Sequence, residues 1–172
     1  MMVDQVKKVC VIGAGVMGAG IAAQVANAGI PVLLLDIVPR EGDDRDAVAK
    51  GAVAKMLKTD PAPFMSKRAA KLVETGNIDD HLDRVAECDW IVEAIVERLD
   101  IKQALYAKLE ALKRPGTAVS SNTSTIPLGH LVDGRSDQFK ADFLITHFFN
   151  PPRYLRLVEI VRGEHTDVAV AE

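Results

Sequence analysis

One stretch near the start of the chain restricts its fold more than any other: Val9-Cys-Val-Ile-Gly13-Ala-Gly15-Val-Met-Gly18. The apolar run before the glycines is typical of a buried parallel strand, and the small apolar residues after them indicate a helix. In this setting Gly13 allows a tight turn, Gly15 lets a pyrophosphate approach the backbone, and Gly18 lets the helix pack on the strand. The N–H groups at the helix N-terminus would bind the phosphates. The stretch therefore predicts a dinucleotide-binding site, against the alternative of a glycine-rich turn without a ligand.

A second apolar run, over 32–35, ends at Asp36. An acid about 20 residues after the glycines is the expected partner of the 2′-hydroxyl of the adenosine ribose. Its negative charge would repel a 2′-phosphate, so Asp36 favours NAD over NADP, although Arg40 nearby works against this preference.

The rest of the chain alternates strand and helix patterns. This alternation predicts an α/β fold with a Rossmann-type, doubly wound, mostly parallel sheet and flanking helices, in one domain over residues 1–172. Strands are predicted over 6–12, 32–36, 71–75, 90–94, 117–121, 143–147 and 155–161, with a turn at 76–77. Helices are predicted over 16–28, 46–58, 66–70, 99–112 and 126–132, and from 168 onward.

Composition argues against several classes of function. The net charge of −3 does not suggest a nucleic-acid partner. Cys10 and Cys88 do not make a disulfide framework, which fits a reducing, cytoplasmic location, and Cys88 has no metal-ligand spacing with any histidine, so no metal site is predicted. Gln24 and Asn27 interrupt the early apolar segment, so no membrane span is predicted.

Polar side chains gather where the predicted strands end. In an open α/β sheet, ligands bind outside the carboxyl ends of the strands. The candidates at these ends are Glu93, Glu97, the residues 122–124 and His147.

His147 is the natural general base of this group, because an imidazole titrates near neutral pH and can take a hydroxyl proton. A lone histidine before two phenylalanines is more often structural. Glu159 in the last strand favours the catalytic interpretation, since it could hold one ring nitrogen and leave the other for substrate. Ser124 could hydrogen-bond the reacting oxygen or simply cap a loop or a helix. From its position alone, Lys102 is more often a solvated helix-face residue than a cofactor contact.

Four segments together resemble the NAD-binding domain of the 3-hydroxyacyl-CoA dehydrogenases. These are the glycine stretch, Val92-Glu-Ala-Ile-Val-Glu97, Ser121-Asn-Thr-Ser124, and His147-Phe-Phe-Asn-Pro151 with the later Leu157-Val-Glu159. The resemblance covers nearly the whole chain. It is greatest to the long bacterial members in which a dehydrogenase part is fused to an enoyl-CoA hydratase part.

The resemblance implies a role for each matching residue. His147 would be the catalytic base, Glu159 its partner, and Ser124 a contact of the substrate oxygen near the nicotinamide. Asn122 would lie at the junction of cofactor and substrate, and Glu97 and Lys102 on the side of the nicotinamide ribose. The cofactor NAD would also contact Gly13, Gly15, Val16, Met17, Gly18 and Asp36. The reaction would be the oxidation of a 3-hydroxyacyl-CoA to a 3-ketoacyl-CoA in fatty acid β-oxidation.

The chain also departs from the family. Members have a following helical domain that closes the acyl-CoA site, supplies an asparagine and forms a homodimer, whereas this chain stops about one turn into its last helix. A fragment of a longer chain is therefore expected, one that binds NADH but turns over poorly. Two alternatives stay open: a hydroxyacid dehydrogenase that acts without CoA, and a non-catalytic NAD-binding module.

Overall fold

A computed structural model describes residues 6–172, so residues 1–5 of the predicted domain lie outside the described residues. The strands are β1 (Val9–Ile12), β2 (Val32–Asp36), β3 (Val73–Asn77), β4 (Trp90–Glu93), β5 (Ala118–Ser121), β6 (Phe143–Phe148) and β7 (Val158–Arg162). The helices are α1 (Val16–Asn27), α2 (Ala47–Met56), α3 (Lys67–Ala70), α4 (Ile78–His81), α5 (Leu99–Leu112), α6 (Leu128–Leu131), α7 (Asp137–Ala141) and α8 (Val168–Ala171), with a 3-10 helix over Leu82–Glu87. Between residues 6 and 172, no helix has the length and apolar character needed to cross a membrane.

The strands form one sheet in the order β3-β2-β1-β4-β5-β6-β7. Neighbouring strands from β3 through β6 are parallel, and β7 runs antiparallel to β6. The first six strands have the order of a doubly wound dinucleotide-binding fold, in which ligands bind where the strand order reverses, beside β1. The predicted α/β, Rossmann-type, mostly parallel sheet is confirmed.

β1 is an interior strand of the sheet, between β2 and β4, and explains why the fold has two layers of helices. Its four residues are fully buried, and successive side chains point to opposite faces. Val9 and Val11 join a core cluster that includes α1, while Cys10 and Ile12 join a second cluster that includes α5. A strand that is buried on both faces is expected to be apolar at every position, and the Val9–Ile12 segment is.

β3 lies two residues later than predicted, and Gly76-Asn77 is not a turn. Val73 pairs with Val32, so Gly76 and Asn77 continue the strand opposite Leu35 and Asp36. A Cβ at Gly76 would lie 2.9 Å from the His81 Nδ1 atom, so the glycine serves close packing. Asn77 caps α4 directly, with its Oδ1 atom accepting the Asp80 N–H at 2.8 Å.

Two differences occur in the second half of the chain. β7 starts at Val158, not at 155, because Val158 pairs with Phe148, the last residue of β6. The short helix α7 was not predicted, although Ser136 gives an N-cap signal and accepts the Phe139 N–H at 3.2 Å. By contrast, β2 and α5 have the predicted bounds.

The packing of α1 on β1 yields a first prediction. A Cβ at Gly18 would lie 1.8 Å from the Gly13 carbonyl oxygen, which belongs to the backbone and cannot move aside easily. Gly18→Ala is therefore expected to lower the free energy of unfolding by about 3 kcal/mol, measured by urea unfolding.

Gly51 provides the matched control, since it lies within α2, is exposed and has no atom within 4 Å of the position that a Cβ would take. Gly51→Ala should raise stability by up to about 1 kcal/mol through helix propensity. Equal stabilities for the two alanine variants would contradict the packing role of Gly18.

Candidate active site

The glycine loop between β1 and α1 is held by close backbone contacts. Gly13 has a φ of +103°, in the region that favours glycine, and a Cβ there would lie 2.5 Å from the Ala94 carbonyl oxygen. Gly18 lies against Gly13 itself. These contacts fix the N-terminus of α1 beside the carboxyl ends of β1 and β4.

Gly15 differs from its neighbours, because no atom lies within 4 Å of the Cβ position it lacks. It is the N-cap of α1, and no side chain caps the helix there. The first turn of α1 also carries no acidic residue. The open space, the uncapped N–H groups and the positive end of the helix dipole fit a bound pyrophosphate.

Asp36 lies at the end of β2, on the other side of the same loop. One carboxylate oxygen accepts the Ala14 N–H, and the other accepts the Ile37 N–H at 2.6 Å. A carboxylate offers about four acceptor positions, so two remain for ligand hydroxyls. Asp36 therefore both orders the glycine loop and keeps capacity to bind a ribose.

A cleft of 510 Å³ opens beside the glycine loop, at the carboxyl ends of β1, β4, β5 and β6. Eight of the predicted site residues line it: Gly15, Val16, Met17, Glu97, Lys102, Asn122, Ser124 and His147. The other four predicted site residues, Gly13, Gly18, Asp36 and Glu159, do not line it. Residues from four strand ends thus meet in one place, as the sheet topology requires.

The His147 and Glu159 side chains pair directly across β6 and β7. The two residues are register partners, and the His147 Nδ1 atom lies 2.8 Å from the Glu159 Oε2 atom. An ionised carboxylate only accepts hydrogen bonds, so this contact requires a proton on Nδ1, and the neutral imidazole then has Nε2 as its acceptor. The Phe149 ring packs against the imidazole with centroids 4.7 Å apart. The imidazole is thus held from two sides while it lines the cleft.

Glu97 organises the loop that carries Ser124. One of its carboxylate oxygens accepts hydrogen bonds from the Thr123 hydroxyl, the Ser124 N–H at 3.3 Å and the Thr125 hydroxyl at 3.1 Å. Its other oxygen lies 3.3 Å from the Lys102 ammonium. Burial opposes ionisation, but the Thr123 hydrogen bond and the Lys102 charge prevail and lower the pKa of Glu97. Glu97 is therefore a carboxylate at neutral pH.

Lys102 is not a solvated residue, so the expectation from its position alone is wrong. Its side chain is 1% exposed and forms an ion pair of 2.6 Å with Glu93, which is itself fully buried. The hydroxyls of Tyr106 and Ser121 also donate to Glu93. Burial and the Glu93 charge raise the pKa of the Tyr106 hydroxyl, so it stays protonated and donates.

Asn122 connects β5 to β6 at the floor of the cleft. Its Oδ1 atom accepts the Phe148 N–H at 2.9 Å, and its own N–H donates to the Glu93 carbonyl oxygen at 2.8 Å. Tyr106 and Ser121 support the site through Glu93, and no sequence pattern predicted this role for them. Their polar atoms in a buried apolar setting are the one signal that could have found them.

Residues 8–172 match the family described as "3-hydroxyacyl-CoA dehydrogenase, NAD binding domain". The chain belongs to this family. The predicted family membership is confirmed.

Individual relatives agree with this family membership. The chain is 49% identical over 168 residues to a Deinococcus radiodurans protein named "Probable 3-hydroxyacyl-CoA dehydrogenase", covering 98% of this chain and 49% of that protein. It is 42% identical over 160 residues to a Rickettsia felis protein named as a fatty acid oxidation complex trifunctional enzyme. That match covers 93% of this chain and 22% of the Rickettsia protein. The crystal structure of Escherichia coli 3-hydroxybutyryl-CoA dehydrogenase superposes on this chain with a TM-score of 0.80 at 30% identity. The superposition covers 97% of this chain and 34% of the Escherichia coli chain. The chain thus spans about half, or less, of the length of these relatives.

The open position at Gly15 gives a second prediction. Gly15 has a φ of −65°, which alanine adopts freely, so Gly15→Ala should lower stability by no more than about 1 kcal/mol, the cost of alanine at an N-cap. Its methyl group would occupy the space facing the helix N-terminus, so the Kd for NADH should rise about tenfold or more. Fluorescence titration with NADH and urea unfolding measure the two quantities. An unchanged Kd would contradict a pyrophosphate at this position.

Proposed function

We propose that this chain is the cofactor-binding part of an NAD-dependent 3-hydroxyacyl-CoA dehydrogenase of fatty acid β-oxidation. The observation that carries the proposal is the His147–Glu159 pair, 2.8 Å apart, which stands across one cleft from the N-terminus of α1. A dinucleotide on the glycine loop and a base at the other end of the same cleft are the two parts that such an oxidation needs. Family membership supports the same proposal.

The dinucleotide would lie across the carboxyl edge of the sheet. Gly15, Val16 and Met17 would hold the pyrophosphate through the first N–H groups of α1. Asp36 would accept the ribose hydroxyls at the adenosine end, and its charge favours NAD over NADP. Glu97, Lys102 and Asn122 would surround the nicotinamide end. When bound, the nicotinamide supplies the acceptor of the hydride.

His147 would act as the general base for the hydroxyl of the substrate. The Glu159 carboxylate holds Nδ1–H, so the Nε2 lone pair is available for the hydroxyl proton. As His147 gains that proton, the nearby carboxylate stabilises the imidazolium. Ser124 lines the same cleft and would hydrogen-bond the reacting oxygen. In the reverse direction, His147 would return the proton to a ketone oxygen.

A second cleft supports an acyl-CoA as the substrate. Its volume is 470 Å³, and it shares Gly15, Val16 and Asn150 with the first cleft. Its lining is mostly apolar, which suits a pantetheine or acyl chain, and Lys55 and Arg153 add positive charge for phosphates. The loop after β6 shapes this cleft, because a Cβ at Gly20 would lie 2.9 Å from the Pro152 side chain.

Replacing the base tests the proposed chemistry. In the protein expressed from its complete gene, His147→Gln should reduce acetoacetyl-CoA reduction by about 10²–10⁴-fold, because the proton donor and acceptor is lost. The Kd for NADH should stay unchanged, since no predicted cofactor contact is altered. Normal turnover in this variant would refute the assignment of His147 as the base.

A substrate panel separates the two alternative functions. A dehydrogenase that acts without CoA would reduce free 3-keto acids as fast as acetoacetyl-CoA, and a non-catalytic module would bind NADH but reduce neither. We expect rapid reduction of the CoA ester alone by the complete protein.

The 172-residue chain assayed by itself should bind NADH yet reduce acetoacetyl-CoA slowly. The relatives are at least about twice as long as this chain. We propose that a helical domain in the additional length closes the cleft and forms a homodimer. An open cleft does not preorganise its reacting groups. Rapid turnover by the isolated chain would show that no further segment is needed.

A further inference from the structure

Glu93 is the most completely bonded side chain near the cleft. Its Oε1 atom accepts from the Lys102 ammonium at 2.6 Å and from the Ile95 N–H at 2.8 Å. Its Oε2 atom accepts from the hydroxyls of Tyr106 and Ser121. These donors fill all of the acceptor positions that a carboxylate offers, and the side chain is fully buried. Glu93 therefore has no capacity to touch a ligand itself.

Lys102, in contrast, does reach the cleft. An ammonium group has three N–H donors, of which Glu93 takes one and Glu97 faces a second at 3.3 Å. The third is left for an acceptor in the cleft that Lys102 lines. A lysine side chain has several rotatable bonds and high rotamer entropy. A contact such as that with Glu93 is therefore needed to hold the ammonium in one position with this N–H directed into the cleft.

The contacts of Glu93 also fix the loop on the other side of the cleft. The Ser121 hydroxyl that donates to Glu93 accepts the Thr123 N–H at 3.2 Å. One carboxylate thus ties β4 to α5 through Lys102 and Tyr106, and to β5 and its following loop through Ser121. The Lys102 side chain and residues that directly follow β4 and β5 line the cleft.

We propose that Glu93 is a positioning residue of the dinucleotide site: it fixes the Lys102 ammonium so that one N–H is presented to a hydroxyl or carboxamide oxygen at the nicotinamide end. The inference rests on the proposed function, because it requires that a dinucleotide occupies this cleft. A substitution of Glu93 that keeps its hydrogen bonds to Tyr106 and Ser121 should therefore change the affinity through Lys102.

Glu93→Gln tests this role in the 172-residue chain. The amide keeps the shape of the side chain, and the Tyr106 and Ser121 hydroxyls can turn to accept from it. The charge that holds Lys102 is lost, so the Kd for NADH should rise about tenfold, as for the loss of a charged hydrogen bond. NADH fluorescence titration measures the Kd, and urea unfolding shows that the variant is folded.

A double-mutant cycle distinguishes positioning from a merely structural role. Lys102→Met should weaken NADH binding at least as much as Glu93→Gln, and adding Glu93→Gln to Lys102→Met should weaken it no further. If the two effects multiply, Glu93 acts independently of Lys102, and the proposal is overturned. An unchanged Kd in Glu93→Gln overturns it as well.

The Lys113–Asp142 ion pair supplies the matched control. It is buried to a similar degree, with both side chains 4% exposed and a separation of 2.5 Å, but neither residue lines either cleft. Asp142→Asn should lower stability and leave the Kd for NADH unchanged. A rise in Kd equal to that of Glu93→Gln would assign both effects to general loosening and overturn the proposal.

The remaining outcomes of the experiment also decide between the possibilities. If Glu93→Gln does not fold, Glu93→Asp keeps the charge but withdraws the carboxylate from Lys102, and it should weaken NADH binding likewise. An unchanged Kd in that variant overturns the positioning role. If the unmodified chain binds no NADH, the proposed function fails first. If it binds NADH and the Glu93 variants bind equally well, only the present inference fails.

Discussion

The close approach of two backbone segments at Gly13 and Gly18 determines where everything else in the site can lie. Only residues without a Cβ allow α1 to begin this near to β1, with the Gly13 carbonyl against Gly18 and Ala94 against Gly13. The approach places the N-terminus of α1 at the carboxyl edge of the sheet, directly beside the strand-order reversal between β1 and β4. Anion-binding N–H groups and the polar strand ends therefore share one cleft, without any long-range adjustment of the fold.

The fold was predictable from the sequence wherever one local rule was enough. The buried strands are evident as apolar runs, and α5 has both its apolar period and a terminating Pro115-Gly116. The prediction was wrong where pairing decides the outcome. Gly76 looks like a turn residue, yet it is a strand residue opposite Leu35. Likewise, β7 starts opposite the last residue of β6, and the local sequence around β7 does not indicate this pairing.

The candidate site was predictable to a different extent. Strand ends could be inferred one by one, and topology alone brings them together, so eight of the twelve predicted site residues line the first cleft. Their environments could not be inferred in this way. Lys102 looks solvated on a helix of mixed composition, and only the tertiary structure places Glu93, from a different element, beneath it. A network that joins β4, α5 and β5 has no periodic signature in any one segment, because each of its contacts joins two different elements.

The antiparallel pairing of β7 has a consequence for how the candidate catalytic pair is maintained. All five residues of β7 are exposed, and among the described residues it is one of the two edge strands of the sheet. His147 thus belongs to a strand anchored in the core, whereas Glu159 belongs to the strand that core packing protects least. Segments with few buried apolar contacts can open locally at a lower free energy than the whole domain. The orientation of the imidazole therefore depends on the local stability of β7 as well as on the global stability of the domain.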